Sequence, residues 1–147
     1  MEIAPVRSDQ LDLIRSLLRA YEQEMELDLC FQQFDEEIEA LPGCYAEPEG
    51  GLWLADEVGL VALRPIDRGA EVKRLYVAPA GRGLGLGRRL AEHCIAEARA
   101  RGYRDLWLDT LASMDAANHI YRSLGFVECA PYYDNPLDGV RYFYLGL

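Results

Sequence analysis

Lysine is almost missing from this chain: of its 15 basic residues, every one except Lys73 is an arginine. A phosphate-binding P-loop needs a Gly-Lys-Ser/Thr step, and Lys73 lies upstream of the one glycine-dense stretch, so that motif is excluded. The four cysteines, Cys30, Cys44, Cys94 and Cys129, form no Cys-x-x-Cys pair, and His93 and His119 are the only histidines. That set offers no zinc knuckle; no metal is expected, and free, mostly buried thiols are the reading. No apolar run reaches membrane-spanning length, and the opening "MEIAPVRSDQ" lacks the basic-then-apolar order of a secretory leader. A soluble cytoplasmic protein without a membrane partner is expected. Repeats, low-complexity segments and long linkers are also missing, and 147 residues, half of them apolar, suit a single domain over 1–147.

Positive charge is scarce overall. The net charge of −10 argues against a nucleic-acid partner. It is unevenly placed: residues 1–57 hold 15 acidic and 3 basic side chains, whereas 8 of the 15 basic residues fall between Lys73 and Arg104. A basic segment in an acidic chain points to a local anion site, although a solvated helix face gives the same pattern.

Periodicity supplies the elements. "EIAPV" reads as a short strand. A helix follows from Ser8, with Leu11, Ile14, Leu17, Leu18 and Tyr21 on one face. A second helix is predicted over 31–41 and stops at Pro42-Gly43. "LWLADEVGLVALRP" reads as two strands around a tight turn at Asp56-Glu57, and "EVKRLYV" (71–77) as a third. A helix runs from the glycines to about Arg101, with Gly102 as its C-terminal stop. "DLWLDT" is a strand, 113–124 a helix ended by Gly125, and "FVECAPYY" and "VRYFYLGL" are closing strands. The order βααβββαβαββ implies an α/β (α+β) fold with a mixed central sheet.

The glycine-dense stretch is "GRGLGLGRRL", residues 81–90. Backbone N–H groups gathered at a helix N-terminus form an anion site, and glycine leaves them bare. A strand, a glycine loop and a helix in series therefore read as a phosphate cradle. The dinucleotide pattern G-x-G-x-x-G fits in no register, because Leu86, Arg88 and Leu90 stand where its last glycine would fall.

Arg82-x-x-Gly85-x-Gly87, following "LYV", resembles the pyrophosphate loop R/Q-x-x-G-x-G/A of the Gcn5-related N-acetyltransferases (GNAT). "AANHIYRSLGF" (116–126) is similar to that family's A-x-x-x-Y-x-x-x-G-F segment. The two stand in the family's order, and the likeness spans essentially the whole chain. "LDT…YRSLGF" and the closing segment resemble a broad bacterial subgroup whose membership does not fix a substrate.

The resemblance implies a GNAT fold of about seven strands with a V-shaped split, between 71–77 and 106–109. It implies acetyl-CoA as co-substrate and an N-acetyltransferase acting on an amine of a small molecule or peptide. The pantetheine arm maps to Leu75, Tyr76 and Val77, and the pyrophosphate to the backbone of Arg82, Gly83, Leu84, Gly85, Leu86, Gly87 and Arg88, with the Arg82, Arg88 and Arg89 side chains adding screening. Tyr121 matches the general acid that protonates the leaving sulfur. Glu71 and Asp109 both match carboxylate positions used for the base, and the choice between them stays open. Met114 replaces the asparagine many members carry seven residues before the tyrosine, with Asn118 as a substitute one turn on.

For the acceptor, eight carboxylates between Glu22 and Glu39 either attract a cationic amine or face water. Tyr132 and Tyr133 of "PYYDNP" line the pocket mouth or belong to a rigid turn at Asn135-Pro136. Arg64 is a candidate partner for an acceptor carboxylate. A non-catalytic acyl-CoA sensor and a transferase of longer acyl groups are the alternatives. A homodimer through an exposed C-terminal strand is possible.

Overall fold

The computed structural model describes residues 2–26 and 33–147. Phe31, Asp28 and Cys30 lie outside the described residues. The elements are β1 (Ile3–Pro5), α1 (Leu11–Met25, entered through a 3₁₀ turn at Ser8–Gln10), α2 (Phe34–Glu39), β2 (Gly51–Ala55), β3 (Gly59–Ile66), β4 (Gly69–Val77), α3 (Leu86–Ala100), β5 (Asp105–Leu111), α4 (Asp115–Ser123), β6 (Val127–Cys129) and β7 (Val140–Gly146). This is the order read from the sequence. The strands form one open seven-stranded sheet, β1-β2-β3-β4-β5-β7-β6, antiparallel except for the β4–β5 pair.

Strand alternation divides the core into two layers. Trp53, Val61, Leu63, Val72, Leu106 and Leu108 pack with Leu90, Cys94, Tyr121 and Phe143 on the α3/α4 side. The intervening residues Leu52, Leu54, Leu60, Ala62 and Tyr76 meet Ile14, Leu18, Phe34 and Ile38 on the α1/α2 side. Because both faces are covered, β2 is buried at all its positions, and the sequence shows a continuous apolar run there.

Glycine stops two helices as expected. After α3, Gly102 at φ +87° lets the N–H groups of Gly102 and Tyr103 donate to Arg99 and Ala98. After α4, Gly125 at φ +101° does the same towards Arg122 and Tyr121.

Three expectations are corrected. The strand expected through "FVECAPYY" ends at Cys129, and 130–139 form a loop: Pro131 has no N–H to give a ladder. The C-terminal strand is not an edge, since β7 is sandwiched between β5 and β6 and β6 takes the edge. The helix expected from 113 begins at Asp115, with Met114 in front of its first turn.

Candidate active site

The site begins at a defect in β4. Leu60 pairs with Tyr76 and Ala62 with Lys73, so one residue of β3 spans two of β4. This is a β-bulge, and Arg74 within it takes the left-handed conformation at φ +58°. Bulges bend a strand. β4 stays in register with β5 only at Ala70–Leu106 and Glu71–Trp107, and beyond these the two parallel strands part.

Period-two alternation carries charge into that fork. Glu71 and Lys73 on β4, and Trp107 and Asp109 on β5, share the α1/α2 face of the sheet. Lys73 Nζ lies 3.4 Å from Asp109 Oδ1, with only 7% and 11% of the two side chains exposed. Glu71 is fully buried and accepts from Arg64 Nε at 2.7 Å and from the Tyr132 hydroxyl. The Tyr133 hydroxyl and Asn135 Nδ2 (3.0 Å) donate to Asp109 Oδ2. In the bulge, Arg74 is held by two 3.0 Å bonds to Glu37 of α2 and lies over the Phe34 ring.

The "PYYDNP" loop therefore folds over the fork and caps both carboxylates. It is anchored by the Asn135 side chain, which also accepts from the Leu137 N–H, and by Tyr142, which donates to the Tyr133 carbonyl. Burial pushes the Asp109 carboxyl up, but the Lys73 charge and the bonds from Tyr133 and Asn135 outweigh it and hold its pKa below the usual value.

A chamber of about 60 Å³ lies at the fork. Lys73, Asp109, Tyr21 and Asn135 line it from the α1/α2 side and Val72, Thr110 and Tyr121 from the α3/α4 side, so it passes through the opened sheet. Tyr121 is 6% exposed and packs on Phe126 and Phe143. Burial, helped by Tyr21 and Asp109, pushes its hydroxyl well above the usual phenol range.

The chamber adjoins a cleft of about 840 Å³, and Tyr21, Leu75 and Met114 line both. Leu75, Tyr76 and Val77 form one wall of the cleft, Met114 to Ala117 and Ile120 the opposite wall, and the glycine loop closes its end. Gly85 is the N-cap of α3 and offers no capping side chain, so the Leu86, Gly87 and Arg88 N–H groups at that end have no intrahelical acceptor. A Cβ on Gly83 or Gly85 would meet nothing within 4 Å; their positive φ (+82° and +71°) is what requires glycine. Gly81 differs, since a Cβ there would strike Val58 at 2.8 Å. The volume, the uncapped helix N-terminus and the open loop fit an extended ligand bearing a phosphate at one end.

The expected cradle needs trimming. The Arg82 N–H donates to the Pro79 carbonyl, and the Arg82 side chain reaches the Val77 carbonyl at 3.0 Å and the Glu24 carboxylate. Arg88 bonds Ser123 and lies 3.4 Å from Glu92. Asn118 lines neither cavity; its Nδ2 donates to the Leu111 carbonyl at 3.0 Å and ties α4 to β5. Arg64 meets the chain's own Glu71, and in the acidic run Glu22 and Asp35 face Arg19, Glu24 faces Arg82 and Glu37 faces Arg74. Sequence reasoning passed over Lys73 and Tyr21 as site residues. The signal for Lys73 was the Glu-x-Lys and Trp-x-Asp spacing on two adjacent strands. Among the described residues no group of His, Cys, Asp and Glu is arranged to hold a metal, and no helix is long and apolar enough to cross a membrane.

The sequence model of the acetyltransferase (GNAT) family matches residues 11–126. An uncharacterized N-acetyltransferase of Schizosaccharomyces pombe is 38% identical over 155 residues, covering 100% of this chain and 95% of the relative. An acetyltransferase from Streptococcus agalactiae superposes with a TM-score of 0.82 at 25% identity, covering 99% of this chain and 98% of that one. The protein yncA of Salmonella typhimurium, solved with its cofactor acetyl-CoA, superposes with a TM-score of 0.71 at 20% identity over 99% and 93% of the two chains.

Proposed function

The chain belongs to the acetyltransferase (GNAT) family, and on that premise we propose that it transfers an acetyl group from acetyl-CoA to a primary amine. Acetyl-CoA, when bound, supplies the acetyl group activated as a thioester. The N–H groups of Gly83, Leu84, Gly85, Leu86, Gly87 and Arg88 take the pyrophosphate, and Leu75, Tyr76 and Val77 take the pantetheine arm along the unpaired edge of β4.

Tyr121 holds its proton at neutral pH, because burial disfavours the phenolate. It gives that proton to the sulfur as the carbon–sulfur bond breaks. An amine must shed a proton before its nitrogen can attack, since its free pKa is near 10. Asp109 is the better of the two carboxylates for handling it, because it lines the chamber with Tyr121, whereas Glu71 lies beneath Arg64 and Tyr132. A carboxylate with a lowered pKa stays ionised; it orients the ammonium, whose proton leaves directly to water. Glu71 acts as a positioning residue that fixes Arg64 and Tyr132.

The single observation that carries the reading is the shared chamber of Tyr121 and Asp109 at the inner end of the cleft. Calorimetric titration with acetyl-CoA, with ATP and NAD as controls, followed by a CoA-release assay over an amine panel, tests it. Selective binding and release of CoA with an amine are expected. Tight binding without turnover on any amine would favour the acyl-CoA sensor, and no binding by folded protein would overturn both.

A further inference from the structure

Three carboxylates near the fork are each matched by a cation of the same chain: Glu71 by Arg64, Asp109 by Lys73 and Glu37 by Arg74. The two arginine pairs are tight, at 2.7 and 3.0 Å, and Glu37 is held by both of its oxygens. The third is loose. At 3.4 Å the ammonium of Lys73 has one long contact for three N–H donors among the described residues, and its other neighbour is the Tyr133 ring face, 6.0 Å from the centroid. A nearly buried ammonium with one long protein contact keeps donors for a polar guest in the chamber. Asp109 is lopsided too: Oδ2 takes Tyr133 and Asn135, while Oδ1 has only the long contact with Lys73.

Lys73 and Asp109 Oδ1 thus present a cation and a carboxylate oxygen with spare hydrogen-bonding capacity, side by side and facing the same small space. We infer that the acceptor is a free α-amino acid or a similar zwitterion, whose carboxylate is bound by Lys73 while its amine lies against Asp109. Inserted between the two, the zwitterion replaces one long ion pair by two short ones. Leu137 and Tyr21 at the border of the chamber leave an apolar and aromatic surround for a side chain. A polyamine lacks the anion, and a peptide N-terminus lacks a carboxylate next to its amine. This rests on the transferase reading above.

The test uses the whole protein and three matched acceptor sets: α-amino acids, their carboxamides and the corresponding decarboxylated amines. By CoA release, the acids are expected to exceed the amides by about tenfold or more in kcat/KM, as loss of a charge-assisted bond requires. Lys73→Met collapses that ratio towards one, and Lys73→Arg retains part of it. A second readout needs neither turnover nor a variant. Because the chain has one lysine, protein grown on ¹³Cε-lysine gives one lysine resonance. In CoA-saturated protein, amino acids are expected to shift it and amides to leave it in place.

Equal rates on acids and amides, or a lysine resonance indifferent to every amino acid, overturns the inference. Acetyl-CoA that binds and is turned over only with amines lacking a carboxylate sinks this inference while the transferase reading stands. Failure to bind acetyl-CoA at all sinks the reading beneath it.

Discussion

Lys73 and Asp109 face each other at 3.4 Å where β4 and β5 part, two residues along each strand from the last register pair, Glu71 and Trp107. Had the sheet stayed closed, the two would be ordinary cross-strand neighbours. The bulge at Arg74 opens the strands just beyond them and turns a buried ion pair into the wall of a chamber.

That pair predicts an acid-sensitive stability. The folded pKa of Asp109 lies below its unfolded value, so its contribution is fully present above the unfolded pKa and is lost as pH falls through the folded one. Asp109→Asn should flatten the acid limb of a urea-denaturation series below about pH 4. Near neutrality it should cost about 3 kcal/mol by leaving a buried ammonium unpaired. An acid limb identical to that of the wild type would remove Asp109 from this account.

Tyr121→Phe keeps the packing against Phe126 and Phe143 and removes only the hydroxyl. The expected result is a fall in kcat of about a hundredfold or more, with acetyl-CoA affinity changed less than about twofold. Steady-state kinetics beside calorimetry checks both; an unchanged kcat across the pH range would take the acid role away.

Gly85→Val separates backbone conformation from space. Nothing lies within 4 Å of a Cβ there, yet φ is +71°. Holding a β-branched residue in that region costs about 1–2 kcal/mol. We expect a small drop in melting temperature and at least about a tenfold loss of acetyl-CoA affinity as the loop relaxes away from its cradle shape. Wild-type affinity would mean that the phosphates bind elsewhere.

Glu24 stands inside the cleft, bonded to Arg82 and accepting from the Tyr76 hydroxyl at 2.8 Å. Its charge neutralises an arginine at the glycine-loop end of the cleft. Glu24→Gln should tighten acetyl-CoA binding by about two- to fivefold at low salt, and the gain should shrink as ionic strength rises. Weaker binding at every salt concentration would show that Glu24 instead holds Arg82 in its working position.

Glu37→Gln tests the brace behind the bulge. Arg74 is 4% exposed and keeps its left-handed backbone within two bonds to Glu37 and the Phe34 face. Losing the charge should cost about 3 kcal/mol in urea denaturation, because a buried guanidinium is left without its counter-ion. A loss below about 0.5 kcal/mol, the range of an exposed pair, would show that the brace is not needed.

Much of this was open to reading along the chain. The element order follows from local periodicity, Pro42 and Gly43, and glycines whose positive φ ends helices. Gly85 and Gly87 after a strand marked the uncapped N-terminus of α3, and Tyr121 was singled out by the resemblance of residues 116–126 to the GNAT segment. These signals lie within a few residues of the features they specify, so one-dimensional pattern suffices.

What only the tertiary structure decided lies across the sheet. Whether Glu71 or Asp109 opens on the chamber depends on a loop more than 20 residues beyond either, which brings Tyr132 to one and Tyr133 and Asn135 to the other. Arg64 looked available to a substrate until β3 and β4 set it against Glu71. Lys73 was one charge of a basic segment until the bulge one residue later and the end of the β4–β5 ladder left it facing Asp109 across a gap. The sequence by itself determined the elements, their order and the glycine loop at the head of α3, because hydrophobic period and backbone freedom are local properties. Partner choice among buried charges was left to the fold, because Coulomb energies in a low-dielectric interior depend on distances that only long-range strand pairing sets.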